Sequence, residues 1–230
     1  ISSPKIDAFI EGMKDASGTD CWKECRSWLL DHTDRFEFID ESFIEGISPE
    51  VCDSVTLSTL HGCPPQEIER IARYLMGEKG LNTYVKCNPT LLGYDFVRHT
   101  LDQMGYGYIK FDDSHFKSDL QFHDAVPMLK RLLSFADDHG LTFGVKLSNT
   151  LPVEIKNNEL PGNEMYMSGR ALYPLTINLA YQLSETFGGD MRISYSGGAD
   201  AFNIVGIFEA GIWPVTLATS LLKPGGYLRL

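Results

Sequence analysis

The chain has 230 residues, 43% hydrophobic and 22% charged, an ordinary globular composition long enough for one large domain. Nothing approaches the ~18 uninterrupted apolar residues of a membrane span, and no basic region followed by an apolar core marks a signal peptide. With 31 acidic against 20 basic residues the net charge is −11, which disfavours a nucleic-acid partner, because phosphate contacts need clustered Lys and Arg.

Cys21, Cys25, Cys52, Cys63 and Cys87 form an odd, irregular set without C-x-x-C and read as reduced thiols of a cytoplasmic protein. The opening Ile1-Ser2-Ser3 and the closing Gly-Gly-Tyr-Leu-Arg-Leu lead us to expect a piece of a longer chain.

Residues 1–53 read as a helical N-terminal segment. Ser3-Pro4 is an N-cap with proline at the first helical position, and Ile6, Phe9, Ile10 and Met13 repeat at helical spacing. Thr19 or Asp20 opens a second helix, with Trp22, Cys25, Trp28 and Leu29 on one face. Cys21 and Cys25 stand four apart, a spacing we assign to helix-face packing, since two ligands do not make a metal site.

Residues 54–230 alternate short strands with amphipathic helices. Strand 54–60 is followed by a helix from Pro65 to about Lys79, closed by Gly80. Strand 83–88, a helix over 94–104 and strand 108–112 come next. The longest helix, 120–139, stops at Gly140 and leads to strand 142–148. A loop over 157–163, rich in Asn, Glu, Pro and Gly, precedes a helix over 172–186 and a strand from Met191. A last strand at Val215 and Leu217 ends at Thr219-Ser220.

Such βα alternation predicts a parallel sheet. A doubly wound sheet and a (β/α)8 TIM barrel both satisfy it. The barrel is favoured because polar or small residues recur at every strand end: His61-Gly62-Cys63, Lys86–Pro89, Lys110–Asp113, Lys146–Thr150, Ser196–Gly198 and Thr219-Ser220. An open sheet concentrates its ligand groups at one switch point. The six strands read here make the barrel incomplete.

The strand ends carry the candidate chemistry. Lys86, Lys110 and Lys146 occupy similar places in VKCNP, IKFDD and GVKLSNT, which points to an anionic or electron-rich ligand above the barrel mouth. Asn149 and Thr150 can hydrogen-bond a heterocycle or hydroxyl. Gly197, Gly198, Thr219 and Ser220 are candidates for a phosphate. Cys63 beside His61 forms a candidate acid/base or nucleophilic loop. Arg170 in Ser168-Gly169-Arg170 is placed to clamp a carboxylate or phosphate.

Together these residues resemble the flavin barrel of the dihydroorotate and dihydropyrimidine dehydrogenase class, with VKCNPT, NT, SGRAL, SGGAD and LATS matching in order over roughly residues 54–223. More closely, TLSTLHGCPP, NPTLLGY, GVKLSNTLP, EMYMSGRALYPL, ISYSGGA and LKPGGYLRL look like the selenate reductase iron–sulfur subunit family of multidomain oxidoreductases. The resemblance implies FMN in the barrel, with Lys146, Asn149 and Thr150 near the flavin ring or ribityl chain and Lys86 as a second ring-contacting lysine. It puts Gly197, Gly198, Thr219 and Ser220 at the phosphate.

For the parent protein the resemblance implies FAD, NAD(P) and iron–sulfur clusters. The barrel would there relay electrons or hydride between a small-molecule substrate and other domains or subunits. Lys146, Cys63 and His61 are the expected catalytic residues, and no metal site is expected. Two rival readings are a degenerate barrel that docks partner domains and a Schiff-base aldolase or isomerase acting on a sugar phosphate.

Overall fold

The computed structural model describes residues 3–59 and 61–229, so Leu60, the expected end of the first strand, lies outside the described residues. The chain divides into two compact units, Ile1–Val55 and Thr56–Leu230.

The first unit holds α1 (Pro4–Lys14), α2 (Asp20–Asp31) and α3 (Glu41–Glu45). Thr19 caps α2 by accepting from the Trp22 amide, and Asp40 caps α3 by accepting from the Phe43 amide, so two sets of orphan N–H groups are satisfied locally. Backbone bonds from Ala16 to Pro49 and from Cys52 to Met13 tie the unit together. Cys21 and Cys25 are both exposed. This corrects the assignment of that helix face to packing: α2 buries no residue.

In the second unit β1 (Ser54–Leu57, beginning in the last residues of the first unit), β2 (Asn82–Cys87), β3 (Phe143–Leu147) and β6 (Arg192–Tyr195) form one sheet in the order β1-β2-β3-β6. The pairs β2–β3 and β3–β6 are parallel. An order that follows the sequence without reversal, joined by right-handed crossovers, puts the connecting helices on one face. A doubly wound sheet reverses its order at a switch point. The sheet is therefore an arc of a β/α barrel.

The helix-facing residues are the apolar ones. Val85, Cys87, Val145, Leu147, Ile193 and Tyr195 are buried. They lie under α4 (Pro65–Gly77), α7 (Phe122–Asp138) and α8 (Tyr173–Thr186), whose buried sides carry Ile68, Leu75, Met128, Leu132, Leu179 and Leu183. The opposite face carries Tyr84, Lys86, Gly144 and Lys146 in alternation, as period-2 strands require. Gly144 is demanded here: a Cβ would lie 2.6 Å from the Arg192 carbonyl and 2.6 Å from the Tyr84 ring.

Two expected strands are corrected. Residues 108–112 form no strand. Their alternation has another cause: Phe111 belongs to a satellite core with Val97, Leu101, Phe116, Leu151, Val153 and Leu175, and Ile109 packs on it. α5 (Tyr94–Gln103) and α6 (Ser114–Ser118) flank this segment. Lys110 is thus exposed and off the sheet, donating to the Gly107 carbonyl.

The strand at Val215 shrinks to one parallel bridge with Tyr195, made by Tyr195 N–H to Pro214 and Thr216 N–H to Tyr195. An unforeseen antiparallel hairpin, β4 (Leu151–Glu154) and β5 (Glu164–Met167), stands directly after β3, with the expected loop 157–163 at its tip. Beyond β6 follow α9 (Ile204–Glu209) and α10 (Thr219–Leu222).

Gly144→Ala should lower stability by about 1–3 kcal/mol, because the new methyl group meets backbone and ring atoms that cannot both retreat. A chemical-denaturation midpoint equal to that of the wild type would refute the packing argument.

Candidate functional site

The β2–β3 register makes Lys86 the direct partner of Lys146. Both side chains leave the sheet on the face away from the helices and are half-buried. Burial pulls the Lys86 pKa below the ordinary lysine value. Burial and then the charge of Lys86 pull Lys146 down as well. Lys146 Nζ donates to Thr216 Oγ1 at 3.0 Å, whereas Lys86 has no hydrogen-bond partner among the described residues. Two neighbouring ammonium groups without a carboxylate between them favour an anion or an electron-rich ring over the strand ends.

Thr216 joins the lysines to a polar pocket of about 80 Å³ lined by Arg170, Ser196, Thr219, Ser220 and Lys223. The two expected phosphate segments are therefore brought together, and Arg170 joins them. Its Nε donates to Asp200 Oδ2 at 2.6 Å, and its guanidinium lies over the Phe202 ring. Asp200 is nearly buried, which works against its charge, but the Arg170 hydrogen bond holds its carboxyl below the usual range.

Gly198 lines this pocket, and packing alone already requires glycine at Gly197 and Gly198. A Cβ at Gly197 would collide with Thr176 Oγ1 and Ser148 Oγ. One at Gly198, whose φ is +85°, would come within 2.5 Å of the Gly169 carbonyl. The Gly197 amide is also spent on the Leu147 carbonyl. The glycine pair serves close packing of the chain on itself. The side chains around it, Arg170 and Lys223 with the hydroxyls of Ser196, Thr216, Thr219 and Ser220, nonetheless suit the phosphate of a nucleotide-type ligand, with Asp200 in the same lining already engaging Arg170.

A second cluster was not foreseen. Asp119, with its side chain 1% exposed, accepts from His61 Nδ1 at 2.7 Å, Gly62 N at 2.9 Å, Asn88 Nδ2 at 3.0 Å and Thr90 Oγ1 at 2.8 Å. Asn88 Oδ1 accepts in turn from Asn149 Nδ2 at 2.6 Å, and the Asn149 amide donates to the Cys87 carbonyl. Thus Asn149 is held by β2 rather than left free, while Thr150 stands half-buried at the start of the hairpin. The only signal of Asp119 in the sequence was an acidic residue just ahead of the longest helix, which an exposed loop explains equally well.

Cys63 lines a cavity of about 20 Å³ with Gly62, Lys86, Asn88 and Asp119, room for about one water. Burial, then the nearby Glu67 carboxylate, pushes its thiol up. Both features work against the expected reactive thiolate. A cavity of about 490 Å³ opens at the N-terminal end of β6 between Tyr181, Arg192 and Trp213. Barrel chemistry occupies the opposite end of the strands, and none of the candidate site residues lines it.

The family model described as "Oxidoreductase YgfK, N-terminal TIM-barrel domain" matches residues 1–230, and the chain belongs to that family. Two curated proteins named "Putative oxidoreductase YgfK", from Escherichia coli (strain K12) and Escherichia coli O157:H7, are each 48% identical over 241 residues, covering 100% of this chain and 23% of their own length. The chain thus spans less than a quarter of these relatives. A solved structure, "Crystal structure of DHODH in complex with ferulenol from Eimeria tenella", aligns with a TM-score of 0.33 at 16% identity, over 69% of this chain and 48% of that one. No helix among the described residues is long and apolar enough to cross a membrane.

Two outcomes follow from this geometry. Asp119→Ala strands several donors without an acceptor and should cost about 3 kcal/mol or more, read from the unfolding free energy. The lysine pair sets a pH dependence. A lysine whose pKa is lowered on folding binds its proton less well folded than unfolded, so stability rises with pH between the lowered value and the ordinary ~10.4. Lys86→Met should flatten that alkaline rise in melting temperature, and an unchanged slope would refute the lowering of Lys86 by burial.

Proposed function

We propose that, within this family, the barrel binds an FMN-type flavin at the C-terminal ends of its strands and works as one part of a larger oxidoreductase. The observation that carries the reading is the Lys146–Thr216 hydrogen bond, which links a carboxylate-free lysine pair to the polar pocket. Such a site offers separate attachments for an electron-rich ring and for a phosphate. Ser196, Thr219, Ser220, Arg170 and Lys223 would hold the phosphate. Lys146 and Lys86 would stand by the ring, where a cation favours the reduced, more negative state.

A flavin held there would supply hydride or single-electron transfer. The chain's own residues bind and orient. Thr216 fixes the direction of Lys146, Tyr84 walls the lysine face, and the hairpin β4–β5 rises beside the strand ends. The resemblance to selenate reductase iron–sulfur subunits extends the proposal: electrons would pass onward to iron–sulfur and FAD centres in the rest of such a protein. A docking scaffold would have no use for two half-buried, partly desolvated cations, so the ligand-binding reading is preferred. The lowered pKa of Lys86 and of Lys146 favours a Schiff-base reading instead.

Purified full-length protein should release FMN on denaturation or take it up on reconstitution, as read by absorption spectrum and mass. Lys146→Met should weaken retention roughly 10- to 100-fold, the worth of a charged hydrogen bond. Failure to bind FMN under both conditions would overturn the flavin reading. Borohydride trapping of a sugar phosphate on Lys146 or Lys86 would replace it with the Schiff-base one.

A further inference from the structure

The His61–Asp119 contact has a direction that the surrounding donors determine. Asp119 Oδ2 accepts from Asn88 Nδ2 and Thr90 Oγ1, and Oδ1 accepts from the Gly62 amide. The Asn88 amide cannot be turned round, because its carbonyl oxygen would then stand 3.0 Å from the Asp119 carboxylate oxygen, acceptor against acceptor. The carboxylate oxygen that faces His61 Nδ1 is therefore an acceptor, and Nδ1 carries the hydrogen. Asn88 Nδ2 also comes within 3.4 Å of Nδ1, but two donors cannot bond each other, and the shorter contact to Asp119 takes its proton.

A neutral imidazole protonated on Nδ1 keeps its lone pair on Nε2. No hydrogen bond to Nε2 is found among the described residues, and the side chain is 24% exposed. The ring meets His115 edge-on at 5.4 Å and lies nearly parallel to Tyr166 at 6.5 Å. Glu164, the nearby carboxylate of the hairpin, is engaged by His115 Nε2 at 2.8 Å. Through Asn88, two residues beyond Lys86, the histidine stands at the same strand edge as the lysine pair.

We propose that His61 is the proton acceptor of this site through Nε2, and that Asp119 is its positioning residue. A substrate over the strand edge gives up a proton from an N–H, O–H or activated C–H group. The Nε2–H bond forms as the substrate's bond to hydrogen breaks, and the electron pair stays on the substrate. The imidazolium that results is held by the Asp119 carboxylate, as in other His–carboxylate pairs where the acid fixes tautomer and orientation. Cys63, facing a one-water cavity with a thiol pushed up by burial, takes no part. That a substrate binds over this edge rests on the reading of the lysine face as the ligand site. Which ring nitrogen is free does not.

The test is the regiochemistry of alkylation. Full-length protein, its thiols first blocked with methyl methanethiosulfonate, is treated with iodoacetate. The His61 peptide is hydrolysed and the two carboxymethylhistidine isomers are separated. The Nε2 isomer should exceed the Nδ1 isomer by roughly tenfold or more, because Nδ1 is held by a charge-assisted hydrogen bond. In Asp119→Ala the excess should collapse, whereas a purely structural Asp119 would lower the melting temperature and leave the ratio alone.

A wild-type product mainly on Nδ1 overturns the proposal, and so does a folded Asp119→Ala protein with an unchanged ratio. Failure of His61 to react while the exposed His123 does would overturn it too. If Asp119→Ala does not fold, the wild-type ratio decides alone. Lack of FMN in the same preparation would sink the flavin reading without touching this ratio.

Discussion

The parallel register of β2 on β3 is the constraint from which the rest of the site follows. It sets Lys86 against Lys146, Tyr84 against Gly144, and Cys87 against Leu147. One face of these two strands is therefore apolar and closed by helices, and the other carries both ammonium groups. Because side chains alternate with period two, a slip of one residue would turn Lys86 into the helix layer and Val85 or Cys87 out of it. Burying a lone ammonium among Ile68, Leu75 and Met128 costs far more than the sheet gains from any alternative pairing. The apolar face thus holds the register, and the register delivers the two charges to one place.

The two polar clusters at the strand ends differ in their state of satisfaction, and this separates their roles. Asp119 receives hydrogen bonds from the loop after β1, from the end of β2 and from the turn that follows. A carboxylate so surrounded is a fixed point, and it holds three chain segments together. The lysine pair is the reverse. Burial and mutual repulsion both work against its charge, and only Thr216 answers it. Unrelieved like charges are a cost that folding alone does not explain, and they are where a ligand contributes most. His61 belongs to the Asp119 cluster, with Nδ1 held and no partner at Nε2 among the described residues.

The Ser196-Gly197-Gly198 turn shows how one feature can support two readings. Small residues at a strand end suit a bound phosphate, and they equally suit chain packed on chain. The collisions that a Cβ would make with Thr176, Ser148 and the Gly169 carbonyl assign the glycines to packing. Thr219, Ser220 and Lys223 line the pocket beside Ser196, whose hydroxyl donates to the Leu147 and Ser148 carbonyls, and Arg170, which engages Asp200. The segment keeps its place in the site, with the Ser196 and Gly197 amides spent on the Leu147 carbonyl and Gly198 in the pocket lining.

Much of the architecture was legible in the sequence because it is written in local terms. Helical periodicity, proline starts and glycine stops located α4, α5, α7 and α8 within a few residues, and the β-branched runs located β2, β3 and β6. The lysines at strand ends and the small residues after β6 were legible for the same reason. Residues 108–112 were misread because Ile109 and Phe111 alternate to fill a satellite core, and alternation does not say whether a neighbouring strand exists. The hairpin β4–β5 was missed because Leu151–Glu154 and Glu164–Met167 become strands only by pairing with each other. Asp119 and Asn88 are 31 residues apart in sequence, and Lys146 and Thr216 are 70 apart. The sequence by itself determined which residues have the chemistry and on which kind of element each stands. Only the tertiary structure decided which of them meet, because those meetings depend on the strand register and on loop contacts between segments remote in the chain.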